Sequence, residues 1–152
     1  MKTTPIRLLL FLSTLPVFLF AQTPSLKLKL QLLPDGETWG VYLKPNSNIS
    51  PSLNTITGSA QATVVMPKNY AWNGLVSVHG TWAANAVVDG PVENPGKSYV
   101  SFGLQGDVPK ITYQVGQETL LFKFKRNGAC PDSLYLMNNS TDPFNQTPNS
   151  MA

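Results

Sequence analysis

The chain has one histidine and one cysteine, the side chains best suited to nucleophilic or zinc chemistry. His79 and Cys130 stand far apart, and Cys130 lies in Gly128-Ala129-Cys130-Pro131, a pattern typical of a turn. A thiolate nucleophile needs a base within hydrogen-bond reach, and a zinc site needs several convergent ligands. The sequence contains no cluster of such groups. We therefore expect neither residue to be catalytic, no metal or cofactor to be bound, and Cys130 to pack as a small apolar side chain.

The eight carboxylates are scattered, which disfavours paired-acid chemistry. They are Asp35, Glu37, Asp89, Glu93, Asp107, Glu118, Asp132 and Asp142. Glycoside hydrolysis uses two carboxylates that face each other across roughly 5–10 Å. A fold could place Asp89 beside Glu93, but their spacing does not require it. No Asp-x-Asp-x-Asp run predicts a calcium loop either. We expect solvated turn carboxylates.

The aromatic side chains are the better candidates for binding a ligand. Trp39 and Trp72 fall on apolar strand faces and are expected in the core. Tyr42 and Tyr99 fall on the opposite faces of their strands, which predicts that both are exposed. A tyrosine ring offers an apolar face and a polar edge to a sugar or a protein and loses little conformational freedom on binding. We therefore predict Tyr42 and Tyr99 as the ligand-binding residues.

Apolar and polar residues alternate with a period of two, which places these side chains on strands rather than on helices. Leu26, Leu28, Leu30 and Leu32 share one face of the first run, and Pro34-Asp35-Gly36 follows as a turn. The run Glu37 to Lys44 then completes a predicted β-hairpin. In the run Glu118 to Arg126, alternation predicts Leu120, Phe122 and Phe124 in the core. A further short strand is predicted over Ile111 to Val115.

Eight or nine short strands separated by turn signals, without a convincing helix, predict an all-β fold. The expected architecture is an antiparallel β-sandwich over residues 22–138, with a barrel as the alternative. Residues 139–152 contain mainly Asn, Ser, Thr and Pro. They are predicted to form a polar tail or linker because they offer little to bury.

The first 21 residues have the pattern of a secretory signal peptide. Lys2 and Arg7 precede an apolar run from Leu8 to Phe20, and Ala21 precedes the predicted cleavage before Gln22. The run is too short for a transmembrane helix, so we expect a secreted or cell-surface protein that does not span the membrane. Without Lys2 and Arg7 the formal charge falls from +3 to +1. The remaining cations are scattered, and we predict no nucleic-acid binding.

Several motifs resemble a group of secreted bacterial surface domains. They include Leu28 to Tyr42, Thr57 to Val64, Pro91-Val92-Glu93-Asn94-Pro95 and Asp142-Pro143-Phe144-Asn145. Such domains are similar to cohesin-like or immunoglobulin-like sandwiches of adhesin-type proteins. The resemblance implies an extracellular location and a protein or glycan partner. Domains of this kind usually continue into further modules, so the chain is also expected to be a truncated or free-standing copy.

Together, these observations predict a non-enzymatic secreted or cell-surface module for adhesion or extracellular protein assembly. The alternative is a carbohydrate-binding module that uses exposed aromatic side chains. A secreted hydrolase is the third hypothesis, and the dispersed acids and the isolated His79 and Cys130 disfavour it.

Overall fold

The computed structural model describes residues 26–46, 57–128 and 134–150. The predicted signal peptide and Cys130 lie outside these ranges. The strands are β1 Leu26–Leu32, β2 Thr38–Pro45, β3 Gln61–Pro67, β4 Trp72–Ser77, β5 Thr81–Asp89, β6 Lys97–Gly106, β7 Thr119–Arg126 and β8 Tyr135–Leu136. A single-turn 3-10 helix covers Pro143–Asn145. The predicted all-β class is confirmed.

These strands form two antiparallel sheets that pack face to face, as in a β-sandwich. The first sheet has the order β1-β2-β7-β4, and the second has the order β5-β6-β3-β8. The chain changes sheet five times, between β2 and β3, β3 and β4, β4 and β5, β6 and β7, and β7 and β8. Strand β1 is therefore an edge strand of the first sheet, and the two-residue β8 is an edge strand of the second.

The β1–β2 hairpin follows from the chemistry of its turn. The Asp35 carboxylate accepts hydrogen bonds from the backbone amides of Glu37 (3.0 Å) and Thr38 (2.9 Å) and from the Thr38 hydroxyl (2.6 Å). The Thr38 hydroxyl and these amides lower the pKa of Asp35 to about 2. Gly36 has a φ of +69°, a left-handed conformation that glycine adopts without a steric penalty. The predicted hairpin is confirmed.

The core lies between the sheets and is rich in aromatic rings. Phe102 of β6 lies between Phe122 and Phe124 of β7, at centroid distances of 4.9 and 5.5 Å. Trp72 meets Phe102 edge to face at 5.2 Å, and Trp39 packs against the same cluster. The predicted placement of both tryptophans against the core is confirmed. Aromatic pairs at these distances add to the stability that apolar burial supplies.

A β-bulge in β7 makes one core prediction wrong. Val41 pairs with Phe122, whereas the next residue, Tyr42, pairs with Leu120. Leu121 is therefore the extra residue, and it turns into the core with 2% exposure. Phe122 and Phe124 remain in the core as predicted, but Leu120 lies on the outer face of the first sheet.

The predicted strand over Ile111 to Val115 is not formed as a strand of either sheet. Ile111 and Tyr113 are nevertheless buried. The backbone amide of Ile111 donates to the Asp107 carboxylate at 2.9 Å, so a side chain takes the place of a neighbouring strand. Alternating apolar residues therefore indicate burial here, with a single bridge residue at Tyr113 in place of a strand.

Candidate binding surface

Tyr99 lies on the outer face of the second sheet, but the prediction that it is exposed is wrong. Its side chain is 2% exposed. Its hydroxyl donates to Asp142 Oδ1 at 2.7 Å and accepts from Asn94 Nδ2 at 2.9 Å, and its ring lies 4.7 Å from the Phe144 ring. A tyrosine covered in this way offers no ring face to a partner.

The segment predicted as a polar tail is the cover over Tyr99. Two residues before this segment, the chain is tied to the second sheet, because the Met137 amide donates to the Thr63 carbonyl at 2.8 Å. The buried carboxylate of Asp142 also caps the 3-10 helix by accepting from the Phe144 amide at 3.0 Å. At its far end, the Ser150 hydroxyl donates to Glu93 at 2.9 Å. Polar bonds and one aromatic contact therefore hold a segment that has few apolar residues.

Alkaline pH is expected to destabilise the fold through Tyr99. Burial, followed by the hydrogen bond to Asp142, raises the pKa of Tyr99 from 10 to about 12. The unfolded chain releases this proton near pH 10 and the folded chain near pH 12. The stabilisation is therefore complete below about pH 10 and is lost as the pH rises to about 12.

Urea unfolding from about pH 9 to about pH 12 measures this loss. Tyr99→Phe has no proton to release and should show a shallower decline in the free energy of unfolding. Tyr42→Phe is the matched control and should follow the unmodified protein. If the free energy of unfolding fell equally at alkaline pH in Tyr99→Phe and in the unmodified protein, the assignment of this loss to Tyr99 would be contradicted.

Tyr42 lies on the outer face of the first sheet and stays partly exposed. Its ring lies over Gly40, where an added Cβ would meet Tyr42 Cε2 at 2.9 Å and Leu120 Cδ1 at 3.0 Å. Lys29 Nζ is 5.7 Å from the ring centroid, within range of a cation–π contact. Of the two predicted ligand-binding tyrosines, Tyr42 is the one whose ring a partner could reach.

Each candidate carboxylate of a catalytic pair has a separate structural partner. Asp89 accepts a hydrogen bond from the Ser98 hydroxyl, and Glu93 accepts from Ser150. Asp107 accepts from the amides of Thr57 (3.0 Å) and Ile111 (2.9 Å). Burial raises the pKa of Asp107, but these amides outweigh burial and hold the pKa below its usual value. Asp89 therefore joins two neighbouring strands, whereas Glu93 and Asp107 join connecting segments to each other.

His79, in the connection between β4 and β5, also has structural partners. Its Nδ1 lies 2.8 Å from the Leu120 carbonyl oxygen, and its own carbonyl accepts from Trp82 Nε1 at 2.7 Å. Within residues 26–46, 57–128 and 134–150, no group of three or more His, Cys, Asp or Glu side chains is arranged to hold a metal ion.

A groove of about 740 Å³ runs along the edge where β1 faces β8. It is lined by Leu26 and Leu28 of β1, Ala62 of β3, Leu136 of β8 and Asn138. Leu26 and Leu28 are 48% and 38% exposed. The leucine pattern does not reveal this groove, because it predicts an inward face without indicating which element covers that face.

Comparisons of the chain with protein-family models, curated proteins and solved structures found no match. The resemblance to cohesin-like or immunoglobulin-like surface domains therefore stays a prediction. Across the part of the chain that the structure describes, no helix has the length and apolar character needed to cross a bilayer.

Proposed function

We propose that this chain is a non-enzymatic module, exported to the cell exterior, that serves adhesion or extracellular protein assembly. The signal-peptide pattern of residues 1–21 supports export. The structural roles of Asp89, Glu93 and Asp107 favour an interaction module over a hydrolase.

The exposed edge of β1 is the observation on which an assembly role depends. Within the two sheets β1 pairs only with β2, so its other edge presents backbone amide and carbonyl groups. The inward leucines Leu26 and Leu28 are exposed beside this edge, over the groove that faces β8. Exposed edges and apolar patches are features that proteins usually cover or blunt unless a partner uses them.

An extended segment of a partner protein fits this edge by strand addition. Its backbone would pair with the free side of β1, and its alternate side chains would enter the groove over Leu26 and Leu28. In this mode of recognition the main-chain hydrogen bonds supply affinity and the groove supplies selectivity. The proposed partner is therefore an apolar, extended stretch of an extracellular protein.

Replacing the two exposed leucines should abolish this assembly. We expect Leu26→Glu/Leu28→Glu to weaken binding at least about tenfold, because two buried charges would replace two apolar contacts. The tagged full chain is produced in its own cells, and extracellular complexes are cross-linked and resolved by mass. The partner protein identified by cross-linking is then purified. Its dissociation constant is measured with the unmodified chain and with the double variant.

The matched control is Val87→Glu/Val92→Glu, which adds the same charge at residues that are 61% and 78% exposed and lie away from β1. This control should retain the cross-linked complex. Equal binding by both double variants, or the same complex with the leucines replaced, would overturn the assembly role of the edge. Recovery of the tagged chain only inside the cell would overturn export.

Carbohydrate binding is the second candidate, and the partly exposed ring of Tyr42 favours it. The three tryptophans are less suitable because Trp39 and Trp72 pack against the core and Trp82 is 5% exposed. A single tyrosine provides one stacking position, so a glycan would need additional contacts from its surroundings.

A further inference from the structure

The outer face of the first sheet gathers lysines that are distant in the sequence. The strand register aligns Lys27 with Lys44, Lys29 with Tyr42, and Gly40 with Lys123. The five lysines of this cationic face are Lys27 and Lys29 on β1, Lys44 on β2, and Lys123 and Lys125 on β7. They are five of the nine Lys and Arg residues that follow residue 25.

Only part of this positive charge is neutralised within the fold. Glu118 contacts Lys29 at 2.8 Å and Lys44 at 3.8 Å. Asp35, in the β1–β2 turn, is the carboxylate near Lys125, and its oxygens already accept three hydrogen bonds from the turn. Among the described residues, Lys27, Lys123 and Lys125 form no ion pair with a carboxylate.

The distribution of formal charge between this face and the rest of the chain is asymmetric. Five lysines and the two carboxylates Asp35 and Glu118 give the face a formal charge of +3. The other four cations and six carboxylates after residue 25 give −2. A protein with little net charge therefore presents one positive surface, which would attract and orient a polyanion.

Tyr42 lies within this cationic face and gives it a contact for a sugar ring. Lys29 Nζ is 5.7 Å from the ring centroid, and the absence of a side chain at Gly40 leaves room for the ring. Same-face residues are spaced by roughly 5 Å between neighbouring strands and by roughly 7 Å along one strand. These intervals are comparable with the dimensions of a sugar residue in an extended polysaccharide.

We propose that the cationic face binds an acidic polysaccharide, one with carboxylate or sulfate groups along its chain. The lysines replace the counterions of the polymer, and Tyr42 contacts a sugar ring between them. This inference deepens the carbohydrate-binding candidate and does not depend on strand addition at β1.

The composition of the cationic face favours a glycan over a nucleic acid. Proteins that bind single strands use successive aromatic rings as stacking platforms, whereas this face has Tyr42 alone among its lysines. Arginine forks recognise phosphate with two parallel bonds, and the five cations here are all lysines, which act as point charges. Sulfate and carboxylate groups spaced along a polymer require no more than such charges.

Binding of the full chain to defined polymers tests the proposal. The probes are dextran sulfate, polygalacturonate, uncharged dextran, polyglutamate and a single-stranded DNA oligonucleotide, each titrated at about 0.1 M and about 0.5 M NaCl. We expect both acidic polysaccharides to bind at low salt and to weaken steeply at high salt. Uncharged dextran should not bind.

The key variant is Lys27→Gln/Lys123→Gln/Lys125→Gln, which removes the three lysines that form no ion pair within the described ranges. It should bind dextran sulfate at least about tenfold more weakly. The matched control is Lys68→Gln/Lys97→Gln/Lys110→Gln, which removes the same charge outside the first sheet and should stay within about twofold of the unmodified protein. An equal loss in both triple variants would overturn the proposal, because net charge alone would then explain binding.

Two single variants keep the proposal testable independently of the triple variant. Glu118→Gln releases Lys29 and Lys44 and should tighten binding to dextran sulfate. Tyr42→Ala should weaken binding to polygalacturonate more than binding to polyglutamate. Tighter binding to the oligonucleotide than to either polysaccharide, or equal loss by Tyr42→Ala for polygalacturonate and polyglutamate, would overturn the assignment to a glycan.

Discussion

Phe122→Ala is expected to lower the free energy of unfolding by about 3–5 kcal/mol, the usual cost of truncating a buried phenylalanine. Phe122 is fully buried, and its ring centroid lies 4.9 Å from those of both Trp82 and Phe102. Its removal would leave a cavity between the sheets and is a large change for a single domain. Urea unfolding monitored by tryptophan fluorescence measures the loss.

Leu120→Ala is the control for this prediction because Leu120 lies on the same strand two residues away. Simple alternation would turn the side chains of both residues towards the core. The bulge at Leu121 instead turns Leu120 to the outer face, so its truncation should cost no more than about 1.5 kcal/mol. Comparable losses for Leu120→Ala and Phe122→Ala would contradict the bulge.

Gly80→Ala is expected to lower the free energy of unfolding by about 2–4 kcal/mol, since it combines backbone strain with overpacking. Gly80 has a φ of +71°, and a Cβ there would lie 2.5 Å from Leu104 Cδ1 and 3.2 Å from Ile111 Cδ1. The residue lies where the chain passes from β4 to β5, so the strain falls on one of the crossings between the two sheets. Urea unfolding, with the slope against denaturant unchanged, gives the value.

Gly116→Ala separates the two causes. Gly116 has a similar φ of +77°, but beyond its two chain neighbours no residue has an atom within 4 Å of the position of its Cβ. Its substitution should therefore cost about 1–2 kcal/mol, which is the backbone strain alone. If both variants lost the same free energy, the close approach of Leu104 to Gly80 would contribute nothing.

The elements that sequence analysis predicted well are those whose cause is local. The β1–β2 hairpin depends on Asp35 and Gly36 within the turn and on alternation in the flanking runs. The run from Lys97 to Leu104 alternates clearly, and it lies within β6. A local signal was also sufficient for the core positions of Phe122 and Phe124.

The errors concern residues whose position depends on a distant part of the chain. Leu120 follows the alternating pattern, but the pairing of β7 with β2 introduces the bulge that turns it outward. Tyr99 occupies the outer face of its strand, as alternation requires. Asp142, 43 residues further on, provides the hydrogen bond that helps to bury it.

The cationic face also combines a local signal with one that depends on distant parts of the chain. Alternation alone predicts that Lys27 and Lys29, and also Lys123 and Lys125, point away from the apolar faces of their strands. It does not reveal that β2 lies between β1 and β7, which is the arrangement that joins these lysines with Lys44 and Tyr42. The cations that appear scattered in the sequence are therefore neighbours on the sheet.

The sequence by itself determined the all-β class, the first hairpin and the aromatic core, because backbone period and turn chemistry act over a few residues. Only the tertiary structure decided the burial of Tyr99, the exposure of the β1 edge and the assembly of the cationic face. The physical reason is that burial and charge density are properties of surfaces. Surfaces form from strands that are close in space, and the order of strands in a sheet is set by packing and long-range pairing.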